Sequence, residues 1–325
     1  MIVFGPVPSR RLGQSLGINN IPPKSCSYSC IYCQVGRTAE TEALPRSFYP
    51  PETVVAAVTD RVAALGQSQQ SIDFLTFVPD GEPTLDENLG DEIEGLRSLG
   101  IPIAVITNAS LLWRAEVRIT LARADWVSLK VDAVREEVWR RINRPDASLR
   151  METVLDGMRR FAAEFKGELT TETMLIKGIN DDGAVVIETA DFLAQLAPGR
   201  AYLGIPTRPT AESWCEPPDE ETYNRAYQVF AARLPDVEYL TGEGGTSFGF
   251  TGNVEDDLLG ITAVHPMSHE AVAELLRNSH ASWDVVEGLL AQGRLKRIEY
   301  RGNTFYERPL PHVNPFCRGW LVNRS

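Results

Sequence analysis

The sequence predicts an α/β chain: a partial (β/α)6 barrel of parallel strands followed by a small C-terminal winged-helix-like domain. Short β-rich runs alternate with amphipathic helical stretches six times before about residue 240. Such alternation implies a parallel sheet with right-handed crossovers. Six units fall short of a closed eight-fold barrel. Composition then shifts to Gly and Ser in "TGEGGTSFGFTGNVEDD", and the pattern beyond it is helix, helix, hairpin.

The first strand is "QSLGINNIP". "ETVVAAVTDRVAALG" repeats its apolar residues at helical spacing. "SIDFLTFVPDGEP" is a buried strand ending in a turn, and "DENLGDEIEGLRSLG" is a helix that stops at Gly100. "IPIAVITNAS" is a continuous apolar strand, "RAEVRITLARA" a helix, and "DWVSLKVDA" the next strand. A helical stretch in two pieces spans "NRPDASLRMETVLDGMRRFAAEF". The strands "ELTTETMLIKGIN" and "AYLGIPTRP" are followed by the helices "AVVIETADFLAQLA" and "DEETYNRAYQVFAARL". These residues place the barrel at 1–241, a linker at 242–254 and the C-terminal domain and tail at 255–325. In that domain "SHEAVAELLRNS" and "SWDVVEGLLAQG" are short amphipathic helices, and "LKRIEYRGNTFYERP" is a hairpin turning at "RGN".

At 325 residues and 43% hydrophobic, the chain can bury a sizeable core. Its net charge of −12 disfavours nucleic acid and anionic membrane as partners. No apolar run approaches the ~20 residues of a membrane helix, and "MIVFGPVPSRRLGQSLGINN" holds no signal-peptide core. The expected compartment is the cytoplasm, where disulfides are uncommon. Five cysteines, three of them clustered, then point to metal or redox chemistry.

The cluster is "KSCSYSCIYCQ", with Cys26, Cys30 and Cys33 in C-x3-C-x2-C spacing. Structural zinc usually takes four protein ligands. Cys215 and Cys317 are isolated, and all four histidines, His265, His269, His280 and His312, lie in the C-terminal segment. An iron-sulfur cube is also held by thiolates, normally four. Three thiolates leave one iron with an open position for a substrate or cofactor. Spacing alone leaves zinc and a cluster both open.

C-x3-C-x2-C with Tyr32 before the last Cys resembles the radical S-adenosylmethionine superfamily, and "DGEP" at the end of the second strand extends the likeness. That family has a Gly-Gly-Glu-Pro turn there. Gly81, Glu82 and Pro83 match it, while Asp80 departs from it. The resemblance implies one [4Fe-4S] cluster on Cys26, Cys30 and Cys33, and S-adenosylmethionine bound at the "DGEP" turn. It also implies a 5′-deoxyadenosyl radical that takes a hydrogen atom from substrate. An electron donor such as flavodoxin or ferredoxin follows from that chemistry.

In "SLKVD", period 2 puts Ser128, Lys130 and Asp132 on one face. Polar residues facing a barrel interior are costly unless they bind something. The resemblance assigns this strand to the cofactor's ribose and carboxylate, with Lys130 as the cation. Asn108 follows the third strand and lies at the rim, Tyr32 is a wall for adenine or cluster, and the resemblance puts Ile176 of "LIKGIN" near adenine. Lys130, Lys177 and Arg208 are the candidate catalytic groups. Asn143 and Arg144 of "INRPD" are further loop candidates.

"GPVPSRRLGQSLGIN", "DGEPTL" and "INRPDASL" are closest to a narrower group that includes the wyosine synthases, which modify transfer RNA. Those enzymes use a second cluster with cysteines upstream of the radical loop, and this chain has no cysteine before Cys26. The expected substrate is therefore a small molecule or peptide, with wyosine-type modification as the alternative. Residues 255–310 hold nine acids against six bases, the reverse of a DNA reader. A peptide-docking module or lid suits them better. An iron-sulfur redox sensor acting through the winged helix is the non-enzyme alternative, and it leaves "DGEP" unexplained.

Overall fold

Seven strands run parallel in sequence order: β2 (Gly13–Ile18), β3 (Phe74–Phe77), β4 (Ile103–Thr107), β5 (Trp126–Lys130), β6 (Glu168–Met174), β7 (Arg200–Gly204) and β8 (Val237–Leu240). They belong to a computed structural model that describes residues 1–67, 70–240, 248, 250, 252–264 and 266–309. β1 (Val3–Ser9) pairs antiparallel with β2 at one edge. The sheet order is β1 to β8 without a break, and β8 does not pair back to β1. The result is a curled half-barrel. The crossovers are α1 (Pro51–Gln67), α2 (Leu89–Leu96), α3 (Ala115–Leu121), α4 (Glu136–Asn143), α5 (Met151–Glu164), α6 (Gly183–Leu196) and α7 (Glu220–Ala231). All six expected strand-helix units are present.

Two strands of this sheet were not expected. β1 reads "VFGPVPS", and its Gly and two prolines signal a loop. An edge strand tolerates them, because a proline's missing N–H can face away from the ladder. β8 is only "VEYL", half-buried throughout, with too little apolar signal to stand out.

Alternation along the strands separates two layers. Leu75, Phe77, Ile103, Val105, Val127 and Leu129 face outward and join Val54, Val58, Ile93 and Leu96 of the helices in the main core. On the concave face Leu12, Ala104, Trp126 and Tyr202 form a separate cluster, joined by Phe74, Ile106 and Leu240. Leu12 comes from the β1–β2 turn, so that hairpin supplies part of the floor of the half-barrel. Asp182 and Asp219 cap α6 and α7 by accepting from Ala184 N (3.0 Å) and Thr222 N (2.8 Å).

The C-terminal segment contains α8 (Val254–Val264), β9 (Met267–Ser268), α9 (His269–Asn278), α10 (Asp284–Ala291), β10 (Lys296–Tyr300) and β11 (Asn303–Glu307). The expected helix, helix, hairpin order is there. α8 and β9 add to it, giving a three-stranded sheet in the order β10-β11-β9. The hairpin turns on Arg301 and Gly302, both at positive φ (52° and 81°), as a tight two-residue turn requires. Leu258, Ile261, Val272, Leu275, Val286 and Leu289 form a core of their own. α8 is tied to the barrel through Asp257, which accepts from Arg61 Nη2 at 2.7 Å. His269 stacks on Trp283, with ring centroids 4.6 Å apart. His265, His312 and Cys317 lie outside the described residues. No helix among the described residues is long and apolar enough to cross a membrane.

Candidate active site

The cysteine loop leaves the C-terminal end of β2 and is laced to the end of α4. Ser29 N donates to Asn143 O (3.0 Å), Ile31 N to Ile142 O (2.9 Å), and Asp146 N to Ser27 O (2.8 Å). Glu212, in the loop after β7, donates its N–H to Ile31 O at 3.0 Å. Its buried carboxylate accepts from Arg37 Nη2 (2.6 Å) and pairs with Arg144. The first and last parallel units are thereby joined above the open sheet.

Each sulfur faces a nitrogen donor. Asn108 Nδ2 stands 3.7 Å from Cys26 Sγ, Asn143 Nδ2 3.4 Å from Cys30 Sγ, and Lys24 Nζ 3.5 Å from Cys33 Sγ. Burial pushes the Cys26 thiol far up and the Cys30 thiol to about 12, so the protein alone favours neutral thiols there. A cationic iron cluster reverses that preference, and donors aimed at sulfur suit anionic ligands. Among the described residues the three do not converge as ligands of a single ion. In a cube each thiolate meets a different iron, so the donor set fits that group.

The "DGEP" turn is locked against the cysteine loop. Glu82 N donates to Ser25 O at 2.9 Å, and a Cβ on Gly81 would lie 1.9 Å from the same oxygen. Only glycine allows that approach. The buried Glu82 carboxylate accepts from Thr84 N (3.1 Å), Thr84 Oγ1 (2.6 Å), Thr107 Oγ1 (2.6 Å) and Asn108 N (2.7 Å). Three of these fall on Oε1 and one on Oε2, so Oε2 keeps acceptor capacity. Glu82 also caps the short 3-10 turn Pro83–Leu85. It is first a brace between the ends of β3 and β4. Asn108 extends the brace, since its side chain reaches both Ser27 Oγ (2.9 Å) and Cys26.

On the concave face Lys130 Nζ donates to Glu172 Oε1 at 2.7 Å. Arg11, from the β1–β2 turn, pairs with the other Glu172 oxygen. Burial alone would raise the Glu172 carboxyl, but Lys130 and Arg11 together hold it down at about 2. Lys130 also lies 5.0 Å from the Tyr32 ring centre. Asp132 accepts from Tyr32 OH (2.5 Å), Asn143 Nδ2 (2.7 Å) and Met174 N (2.9 Å). Among the described residues, the buried Ser128 Oγ has no hydrogen-bond partner.

Cys26, Cys30, Cys33, Gly81, Glu82, Pro83 and Asn108 therefore stand together at the C-terminal ends of β2 to β4. Tyr32, Lys130 and Asp132 form a second, linked group. Ile176 is buried with Ile31, Tyr32, Ile179 and Cys215 in an apolar patch behind the loop. One candidate sits elsewhere. Lys177 is exposed and pairs with Glu216 at 3.4 Å, away from the concave face. Arg208 follows β7 and is partly buried. The sequence carries no signal for Arg11 or Glu212, since each meets a partner more than 100 residues away and lies in a turn or loop without periodicity.

The UPF0026 protein MJ1312 of Methanocaldococcus jannaschii is 47% identical to this chain over 307 residues, covering 94% of this chain and 95% of that protein. A solved structure of TYW1 with a lysine-pyruvate adduct bound superposes with a TM-score of 0.52 at 16% identity, covering 69% of this chain and 76% of that one. A radical SAM methyltransferase from Sphaerobacter thermophilus gives 0.51 at 19%, covering 70% and 67%. At these identities the two structures speak for the fold alone. The radical SAM superfamily pattern itself matches residues 20–192. That match spans more than half of the chain and includes both the cysteine loop and the Glu82 turn, so the chain belongs to the radical SAM superfamily, enzymes that bind a [4Fe-4S] cluster and S-adenosylmethionine.

Proposed function

We propose that Cys26, Cys30 and Cys33 hold the [4Fe-4S] cluster and that the concave face beside it binds S-adenosylmethionine and an unidentified small-molecule or peptide substrate. The observation that carries this reading is the backbone lock between Gly81 and Ser25, which makes the cysteine loop and the Glu82 turn one rigid unit. When bound, the cluster supplies one electron that cleaves S-adenosylmethionine to methionine and a 5′-deoxyadenosyl radical, which takes a hydrogen atom from substrate. The chain's own residues position and shield. Asn108, Asn143 and Lys24 support the three sulfurs. Glu82 Oε2 has room for one more donor, which suits an ammonium group. Lys130 offers the cation nearest Tyr32, and Ser128 offers an unused hydroxyl. The apolar floor around Leu12 and Trp126 excludes water from one end.

The electron donor is a flavodoxin or ferredoxin in this reading. Nucleic acid is a poor substrate, because the net charge is −12 and the first turn of α10 carries Asp284 and Glu287. The C-terminal segment then acts as a winged-helix-like module that docks protein or peptide.

The test is anaerobic reconstitution with iron and sulfide, reduction, and addition of S-adenosylmethionine. Four irons per chain and release of 5′-deoxyadenosine are expected. A chain that holds four irons yet releases none after reduction overturns the proposal.

A further inference from the structure

A cavity of about 190 Å³ lies where the N-terminus, the loop after β2, the "DGEP" turn and the C-terminal segment meet. Asn19, Ile21, Tyr49, Asp80, Ala263 and Arg308 are among its walls. None of the three cysteines lines it, nor do Glu82, Asn108, Lys130 or Asp132. It is separate from the groups described above, although Asp80 is the residue before Gly81.

Asp80 is only 4% exposed, and among the described residues its Oδ1 has no hydrogen-bond partner. A buried carboxylate without a partner is costly, and folded proteins rarely keep one idle. Its backbone is fully engaged: N donates to Asn19 Oδ1 at 3.1 Å, and O accepts from Lys24 N at 2.9 Å. The side chain is therefore fixed at the cavity wall. Burial drives its carboxyl up to about 7, with Lys24, the N-terminal ammonium of Met1 and then Arg308 pulling the other way. Lys24 acts on it as a nearby charge, its Nζ donating instead to Gly36 O (2.6 Å) and Cys33 Sγ (3.5 Å). Arg308 brings the opposite charge to the same cavity, anchored by its backbone N–H on Thr262 O at 3.0 Å.

One anionic and one cationic side chain thus line a small, partly open space beside the Met1 terminus. The volume is below the ~300–1,000 Å³ usual for larger ligands and equals about six waters at ~30 Å³ each. That is the scale of a molecule with fewer than about ten heavy atoms. We propose that this cavity is a binding site for a small zwitterion, a free α-amino acid, with its ammonium group on Asp80 and its carboxylate on Arg308. The two charges of such a ligand neutralise both walls at once. A simple cation would answer Asp80 alone, and a simple anion would answer the half-exposed Arg308 alone. The site is also placed to report on the cofactor region. Asp80 O is bonded to the backbone of Lys24, whose ammonium reaches Cys33.

The test uses the whole chain and does not depend on activity. The twenty common L-amino acids are screened by thermal shift and then titrated by calorimetry. The best binder is compared with its N-acetyl form, which lacks the ammonium, and its amide, which lacks the carboxylate. Both derivatives should bind at least tenfold more weakly. Asp80→Asn and Arg308→Gln should each weaken the parent amino acid at least tenfold, and each variant reads out separately should the other fold poorly. The inference is overturned if no free amino acid binds at millimolar concentration. It is equally overturned if binding survives both substitutions, or if the singly charged derivatives bind as well as the parent.

Discussion

Gly81 and Ser25 meet backbone to backbone: Ser25 O accepts from Glu82 N at 2.9 Å and leaves no space for a Cβ on Gly81. Two segments more than 50 residues apart in sequence are thereby fixed as one surface. Gly81→Ala forces them apart. It should cost about 1–3 kcal/mol, in the range of other overpacking substitutions, and should lower iron content after reconstitution. Urea unfolding and an iron assay check both. Wild-type iron loading with unchanged stability would show that the contact is slack.

Cys30 and Cys215 are both cysteines near the same loop, with different surroundings. Cys30 faces Asn143 Nδ2 at 3.4 Å, whereas Cys215 is buried in the apolar patch of Ile31, Tyr32 and Ile176. Cys30→Ala should abolish the cluster's visible absorbance. Cys215→Ala should keep full iron content and cost only about 1 kcal/mol of stability from a small void. Loss of iron in the Cys215 variant would make it a ligand.

The Arg11–Glu172–Lys130 group has a definite pH signature. Glu172 is held below the ordinary carboxylate range, so it contributes stability above about pH 4.5 that is lost as pH falls toward its folded value of about 2. Arg11→Met removes one of its two cations and should destabilise by about 1–3 kcal/mol at pH 7. The difference from wild type should shrink toward pH 2–3. Urea midpoints measured from pH 3 to 7 test this, and a difference that stays constant with pH would assign the loss to packing.

Glu92 of α2 behaves in the opposite sense. It is fully buried, with Asp86 and Asn20 beside its carboxyl group. Burial first, and then the Asp86 charge, raise its carboxyl to about 9. The folded chain keeps a proton that the unfolded chain has lost above about pH 4.5, so this group erodes stability as pH rises from there toward 9. Glu92→Gln carries its neutrality at every pH. The variant should match or exceed wild type in Tm at pH 8–9 and show a flatter profile from pH 5 to 9. An unchanged slope would rule out Glu92 as its source.

The sequence displayed what is local or periodic. Six strand-helix units were legible because apolar runs such as "IAVIT" and helical repeats such as "VVAAVTDRVAAL" carry their own period. The three cysteines and "GEP" were legible because their spacing lies within a few residues. The face shared by Ser128 and Lys130 followed from period 2. The partners of that face did not. Arg11 lies 161 residues from Glu172, and only closure of the sheet brings them together. Lys177 illustrates the converse. It follows a strand that enters the site, but the chain has turned outward by then, and the side chain ends at the surface with Glu216. Asp80 was visible only as a departure from the family's turn. Its meaning depends on Arg308, 228 positions away, on the other wall of a cavity.

The cluster of Leu12, Ala104, Trp126 and Tyr202 stops one end of the half-barrel with apolar side chains, while the flank between β1 and β8 carries no strand pairing among the described residues. Under the proposed reading the base of the concave face is kept dry by packing, and exchange runs past the cysteine loop or along that flank. The hairpin that delivers Leu12 thus seals the base without sealing the side.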